Sequence, residues 1–241
     1  LALLEENTYM LYENNDQKRW MEDIARDYVR PTMIERMQDQ AMVQPLGLNY
    51  RKIDEVTADV EKQDDPVLIN YGSKLYGQRN YQEAWQIVDI MNASGRNIEM
   101  QVVTPSMSPW AGDTELEYNE GIDYFNVYEG LTKAEYLRQS AKAKMMIDAS
   151  KETGFNLTLM EVVYMGALPV VREAGWSKYF YGEDYPFYFN GKKNGAKMAI
   201  HVYDNLEEYR EEWIPKLRER FKEKFSFDSY IERILTEGSN I

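Results

Sequence analysis

Cysteine is absent from these 241 residues, which excludes disulfides, thiolate nucleophiles and zinc–thiolate sites. With His201 as the sole histidine, a Ser-His-Asp triad or a multi-histidine metal site has almost nowhere to form. No run approaches the roughly 18 apolar residues of a membrane-spanning helix, and no signal-peptide pattern opens the chain. Basic residues are outnumbered 41 to 28, and the formal net charge of -13 repels phosphate backbones and anionic lipid. Chemistry is thereby left to carboxylates, cations, hydroxyls and backbone dipoles. The lack of cysteine favours a cytoplasmic setting. The sequence opens on Leu1 rather than Met, which predicts a natural chain that starts further upstream.

What is present supports a core, with 44% hydrophobic and 29% charged residues. Val67-Leu68-Ile69-Asn70-Tyr71 reads as a short buried strand closed by Gly72. The spacing of Tyr81, Ala84, Trp85, Val88 and Met91 predicts a helix from Asn80 to Ser94, stopped at Gly95. Further strands are expected at 100–103, 124–128, 145–149 and 168–171, with helices from Thr132 to Lys142 and from Phe155 to Met165. Pro105 to Gly121 reads as a loop. Strand and helix in regular order specify an α/β domain with a Rossmann-like parallel sheet wrapped on both faces. Such sheets bind ligands outside the carboxyl ends of their strands, here the loops after Tyr71, Val103, Tyr128 and Ala149. Asp204 to Lys224 reads as a long charged helical stretch interrupted at Pro215, before an amphipathic helix opened by Ser226 and Asp228. The first 45 residues offer a strand at Tyr9–Tyr12 and a helix from Asp16 to Tyr28, too little alternation for a second sheet.

Two windows carry chemistry. From Phe155 to Val171 the only formal charge is Glu161. It either faces water beside Thr158, or is buried and held by hydrogen bonds, since a bare buried carboxylate is costly. Just upstream, Thr153-Gly154-Phe155-Asn156 joins a strand end to a first helical turn, where free N–H groups and the helix dipole suit an anion. Gly154 lets a ligand approach the backbone. An ordinary strand-to-helix turn reads the same way. The second window is the loop Tyr71-Gly72-Ser73-Lys74-Leu75-Tyr76-Gly77-Gln78-Arg79-Asn80. In an acidic chain, Lys74 and Arg79 at the ligand edge suit phosphate, although solvated loops also carry such residues.

Together the windows resemble the donor domain of GT-B glycosyltransferases, in the retaining group that includes sucrose and glycogen synthases and many bacterial sugar transferases. Members carry an Arg after the first strand and a Lys five residues on; Lys74 and Arg79 keep that step with the cation types exchanged, and Asn80 follows. The members' Glu-Gly-Phe-Gly-Leu-x-Leu-x-Glu motif resembles Gly154-Phe155-Asn156-Leu157-Thr158-Leu159-Met160-Glu161, followed by Gly166-Ala167-Leu168-Pro169-Val170-Val171. Val43 to Leu48 resembles their interdomain crossover, and Phe225-Ser226-Phe227 their closing element. The match runs from about residue 40 to the end. Two departures stand out. The first carboxylate of the paired motif falls at Thr153, with Glu152 one residue early, and the loop after Val103 carries Pro105 and Pro109 where members have glycines.

The resemblance implies a nucleoside-diphosphate-sugar donor, transfer with retention, and no cofactor or bound metal. Catalytic roles fall on Lys74 and Arg79, which would neutralise the diphosphate, and on Glu152, with Thr153 as its alternative, at the donor sugar. The donor-binding set is Gly72, Ser73, Tyr128, Thr153, Gly154, Phe155, Asn156, Leu157, Thr158 and Glu161. Within it, Glu161 would accept from ribose hydroxyls, and the backbone near Val127 to Glu129 would meet the base with Tyr128 stacking. Residues 1–45 would be the remnant of an acceptor domain and its crossover, 46–225 the donor domain, and 226–241 a helix packing back. The acceptor would then need a missing N-terminal domain or partner chain. Three competing readings stay open. A nucleotide-sugar epimerase of this fold is disfavoured by the single histidine. A viral DNA-base glucosyltransferase is disfavoured by the charge of -13. A catalytically silent nucleotide-sugar-binding module is kept in play by the displaced Glu152.

Overall fold

The computed structural model describes residues 10–12, 41–43, 47–71, 80–104, 122–151, 156–228 and 230–232. Two short strands come first, β1 (Met10–Tyr12) and β2 (Ala41–Val43), paired in parallel. The sequence offered no second sheet; this pair makes one, of two strands, because a parallel partner needs only a crossover and no alternating pattern. The helix expected from Asp16 to Tyr28 lies outside the described residues.

Helix α1 (Tyr50–Thr57) is opened by Asn49, whose side chain accepts from the Lys52 N–H. Then strand and helix alternate: β3 (Val67–Tyr71), α2 (Tyr81–Ala93), β4 (Ile98–Thr104), β5 (Phe125–Glu129), α3 (Lys133–Ala141), β6 (Met145–Asp148), α4 (Leu157–Tyr164) and β7 (Leu168–Arg172). After these come α5 (Gly175–Tyr181), β8 (Tyr188–Phe189), α6 (Lys192–Asp204) and α7 (Leu206–Phe225). The six later strands form one all-parallel sheet in the order β5-β4-β3-β6-β7-β8. Right-handed crossovers place α2 on one face and α3 and α4 on the other, so the central strands are covered twice. Their near-continuous apolar runs follow from that: Leu68, Ile69, Met145, Met146, Ile147, Leu168, Val170 and Val171 are fully buried.

The sequence reading placed nothing between Arg172 and Asp204, where α5, β8 and α6 lie. These segments are rich in aromatics and short turns, and their periodicity is weak. Their Trp176, Phe180, Tyr181, Tyr185 and Phe187 bury themselves with Phe221 and Phe225 of α7. Much of the tyrosine content is used this way. Tyr50 donates to the Phe221 carbonyl at 2.8 Å and so ties the start of α1 to the last turn of α7. Pro215 does not interrupt α7, contrary to expectation. A helix-interior proline forfeits one backbone bond, and here the buried row Ile214, Leu217, Phe221 and Phe225 holds the helix through it. Leu48 pairs with Ser226, donating to the Phe225 carbonyl at 2.7 Å and accepting from Phe227 N at 3.1 Å, so the crossover and the closing element touch.

Candidate functional site

The strand order reverses between β3 and β6: from β3 the chain moves outward to β4 and β5, and from β6 to β7 and β8. At such a switch point the two loops diverge and leave a crevice beyond the carboxyl ends. The loops concerned are 72–79 and 149–156, the two windows singled out in the sequence. Gly72, Ser73, Lys74, Arg79, Glu152, Thr153, Gly154 and Phe155 lie outside the described residues. The ends of both loops are described, and they are joined. Asn80, in the left-handed region at φ 50°, donates from Nδ2 to the Ala149 carbonyl at 3.2 Å. Arg172, at the end of β7, donates from Nε to the same carbonyl at 3.0 Å and forms a largely buried ion pair with Glu83 of α2. Asn80 also hydrogen-bonds Glu83. Backbone and charge together join the ends of β6, β7 and α2 at the switch point.

Phe155, where the sequence opens the expected helix, lies outside the described residues; α4 itself begins at Leu157. Asn156 is its cap: the carboxamide oxygen accepts from Leu159 N at 3.3 Å, while Nδ2 has no partner among the described residues. The free end of a helix dipole therefore faces the switch point. Glu161, one turn further, is buried at 6% exposure, so of the two sequence readings it is the buried one that the structure contains. Lys133 Nζ approaches both of its oxygens at 2.6 Å, and lies 4.6 Å from the Tyr136 ring centroid. Tyr136 donates to the Thr158 carbonyl at 3.5 Å. Burial pushes the Glu161 carboxyl up from its ordinary range, while Lys133 opposes that rise. Burial, reinforced by Glu161, pushes the Tyr136 hydroxyl up as well.

Lys133, Tyr136, Glu83 and Arg172 were missed in the sequence. One signal was there. A lysine at the first position after the Thr132 cap opposes the helix dipole, so its charge needs a partner elsewhere. Tyr128 lines a cavity with Leu131, Glu135, Arg138 and Gln139, on the face of α3 away from Lys133. Burial, with Glu99 nearby, raises its hydroxyl pKa. His201 meets Tyr209 on an exposed surface, Nε2 to hydroxyl at 2.9 Å. Among the described residues no three His, Cys, Asp or Glu side chains cluster closely enough to hold a metal ion, and no helix is long and apolar enough to cross a membrane.

Solved structures share this architecture. The pneumococcal O-GlcNAc transferase GtfA, in complex with UDP and GlcNAc, matches 96% of this chain at 14% identity and a TM-score of 0.70. A sucrose-phosphate synthase from Thermosynechococcus elongatus matches 99% at 14% identity and 0.69. HepE from Anabaena, in complex with UDP-glucose, matches 97% at 10% identity and 0.68. The fold is that of the C-terminal half of a GT-B glycosyltransferase. The chain spans 45%, 59% and 64% of those three proteins, less than two thirds of each. No protein-family profile and no curated protein sequence matches it. The GT-B likeness is therefore carried by the path of the backbone, at identities where little sequence signal survives.

Proposed function

We propose that this chain is the donor-binding part of a glycosyltransferase, holding a nucleoside diphosphate sugar at the switch point between β3 and β6. The observation that carries the reading is the tie from Asn80 to the Ala149 carbonyl, which joins the described end of one phosphate-suited window to the described start of the other. A GT-B architecture around those loops supports it, as do the UDP and UDP-glucose bound by two of the similar proteins.

In this reading Lys74 and Arg79 neutralise the diphosphate while the N–H groups at the start of α4 hold it, which stabilises the charge that grows as the glycosyl bond breaks. Cations and a helix dipole take the part of a metal ion. Glu161 accepts from the ribose hydroxyls after Lys133 gives way. Gly72 and Ser73 line the phosphates, the backbone of 127–129 meets the base, and Glu152 or Thr153 contacts the sugar. Transfer retains the anomeric configuration, and the acceptor sits against an N-terminal domain or partner chain.

The test is thermal stabilisation of the purified chain by a panel of nucleoside diphosphates and nucleotide sugars. A ligand at a hundred times its Kd stabilises by about 2.7 kcal/mol. The reading expects one base to be selected, with the shift lost in Lys74→Ala, Arg79→Ala and Glu161→Ala. No shift from any nucleotide would sink it.

A further inference from the structure

At the opposite edge of the sheet, before β6 and β7, four cations crowd one place. Lys144 is balanced by Asp64 and Glu207, and Arg210 by Glu207 at 2.8 Å. Lys62 and Arg218 are not balanced: neither has a carboxylate within 4.0 Å among the described residues. In a chain with 41 acidic residues to 28 basic, that is not for want of carboxylates.

Lys62 Nζ donates to the Ala143 carbonyl at 2.7 Å. Arg218 spends Nε on the Tyr164 carbonyl at 2.7 Å and rests its guanidinium 5.6 Å from the Tyr164 ring, leaving both Nη groups without an acceptor among the described residues. The two heads converge over Gly166: a Cβ placed there would lie 3.6 Å from Lys62 Nζ and 3.5 Å from Arg218 Nη2. Both residues line a cavity of about 350 Å³ with Ile53, Thr57 and Tyr164. Its one carboxylate, Asp54, already accepts from the Tyr164 hydroxyl at 3.0 Å. Gathering like charges without a counter-ion costs free energy that an occupant of opposite sign would recover. A guanidinium fork beside an ammonium matches a tetrahedral oxyanion.

We propose that the Lys62–Arg218 cavity is a second anion site, which takes a phosphoryl group and is separate from the crevice at the carboxyl ends. Its protonation supports the assignment. Burial, then Arg210, Arg218 and Lys144, push the Lys62 ammonium down to about 7. An anion reverses that shift, so binding above neutral pH takes up a proton. The other titrating groups near the pocket do not mimic this: Lys144 holds Asp64 below the usual carboxylate range, Lys144 and Arg210 outweigh burial to do the same for Glu207, and burial raises the Tyr164 hydroxyl to about 12.

The experiment is a thermal-shift and calorimetric titration of the whole chain with inorganic sulfate, inorganic phosphate and a small alkyl phosphate monoester, against chloride at equal ionic strength. Sulfate keeps its charge between pH 6 and 9, so its pH dependence belongs to the protein. A saturable shift is expected from sulfate and phosphate, with proton uptake at pH 8 seen as a dependence of heat on buffer. Half-saturation should rise tenfold or more in Lys62→Met and Arg218→Met, since each loses a charged hydrogen bond. Glu161→Gln, at the other edge, should leave it unchanged. Tighter binding of the monoester would identify an esterified ligand, and equal binding free phosphate. The proposal is overturned by shifts no larger than those from chloride, or by ones that survive in both cavity variants. If Arg218→Met fails to fold, Arg218→Lys and the proton count decide instead.

Discussion

Lys133 Nζ lies 2.6 Å from both carboxylate oxygens of Glu161, but the lysine side chain is 63% exposed and the glutamate only 7%. Such a pair gains little from its solvated end and bears the desolvation cost at its buried one. Burial raises the Glu161 pKa above its unfolded value, so the folded state holds that proton more tightly. Stability then falls as pH rises from the ordinary carboxylate range through the raised value. Glu161→Gln keeps the shape and removes the charge. It should raise Tm at pH 7 by about 2–4 °C, the equivalent of about 1 kcal/mol at this size, and abolish stabilisation by nucleotides. Lys133→Met should lower Tm, and more at pH 7 than at pH 5. Melts from pH 5 to 8 decide; identical profiles for wild type and Glu161→Gln would refute the argument.

Asn80 should be worth more than its side chain suggests. Its backbone sits at φ 50° and ψ 40°, a conformation that costs most residues about 1–2 kcal/mol, and its Nδ2 holds the Ala149 carbonyl. Asn80→Ala loses the side-chain bonds to Ala149 and Glu83 and bears the strain; Asn80→Gly loses the bonds alone. Urea unfolding should rank wild type above Gly and Gly above Ala, with Asn80→Ala down by about 2 kcal/mol. Both variants should bind nucleotides more weakly, because the two loops are no longer tied. Ala ranking equal to Gly would mean that the backbone there relaxes freely.

The sheet was legible because parallel strands buried on both faces leave plain apolar runs, such as Met145-Met146-Ile147 between Lys144 and Asp148. Thr132 as the start of α3 was legible for a similarly local reason, while its capping box with Glu135 is a finding of the structure. The region from Ala174 to Asn205 was not, since Tyr181, Tyr185 and Tyr188 are placed by contacts with α7 and with one another rather than by periodicity. Of the site, the switch-point loops and the odd carboxylate Glu161 could be read directly. Lys133 and Arg172 could not, because an ion pair between residues 28 or 89 positions apart leaves no pattern along the chain.

Gly47 should tolerate no side chain. A Cβ there would come within 2.5 Å of Phe227 N and Cα and the Ser226 carbonyl, all backbone atoms that cannot swing aside. Gly47→Ala should therefore force the Leu48–Ser226 bridge apart and cost about 2–3 kcal/mol. Gly195 is an instructive contrast. Its added Cβ meets side-chain atoms only, the end of Ile87 and the ring edge of Phe189, which can shift where backbone cannot, and alanine brings a gain of about 1 kcal/mol in helix propensity. Chemical denaturation should find Gly195→Ala at least 1 kcal/mol milder than Gly47→Ala; the reverse order would show that the α2–α6 contact is the stiffer one.

Lys62 makes a separate claim on stability, whether or not its cavity holds an anion. Its folded pKa of about 7 lies below its ordinary 10.5, so between those values the unfolded chain binds a proton that the folded chain does not. Stability should therefore rise with pH from 7 toward 9.5, the upper bound being set where tyrosines begin to titrate in the unfolded chain. Water still reaches part of the side chain, so the gain should be about 1–2 kcal/mol rather than the full shift. Lys62→Met removes the half-buried cation and its repulsion with Arg210, Arg218 and Lys144. That variant should be more stable than wild type at pH 7 and show a flatter profile above it. Parallel slopes for the two proteins, in buffers free of sulfate and phosphate, would mean that the Lys62 ammonium stays charged and that the Ala143 carbonyl alone is enough to hold it.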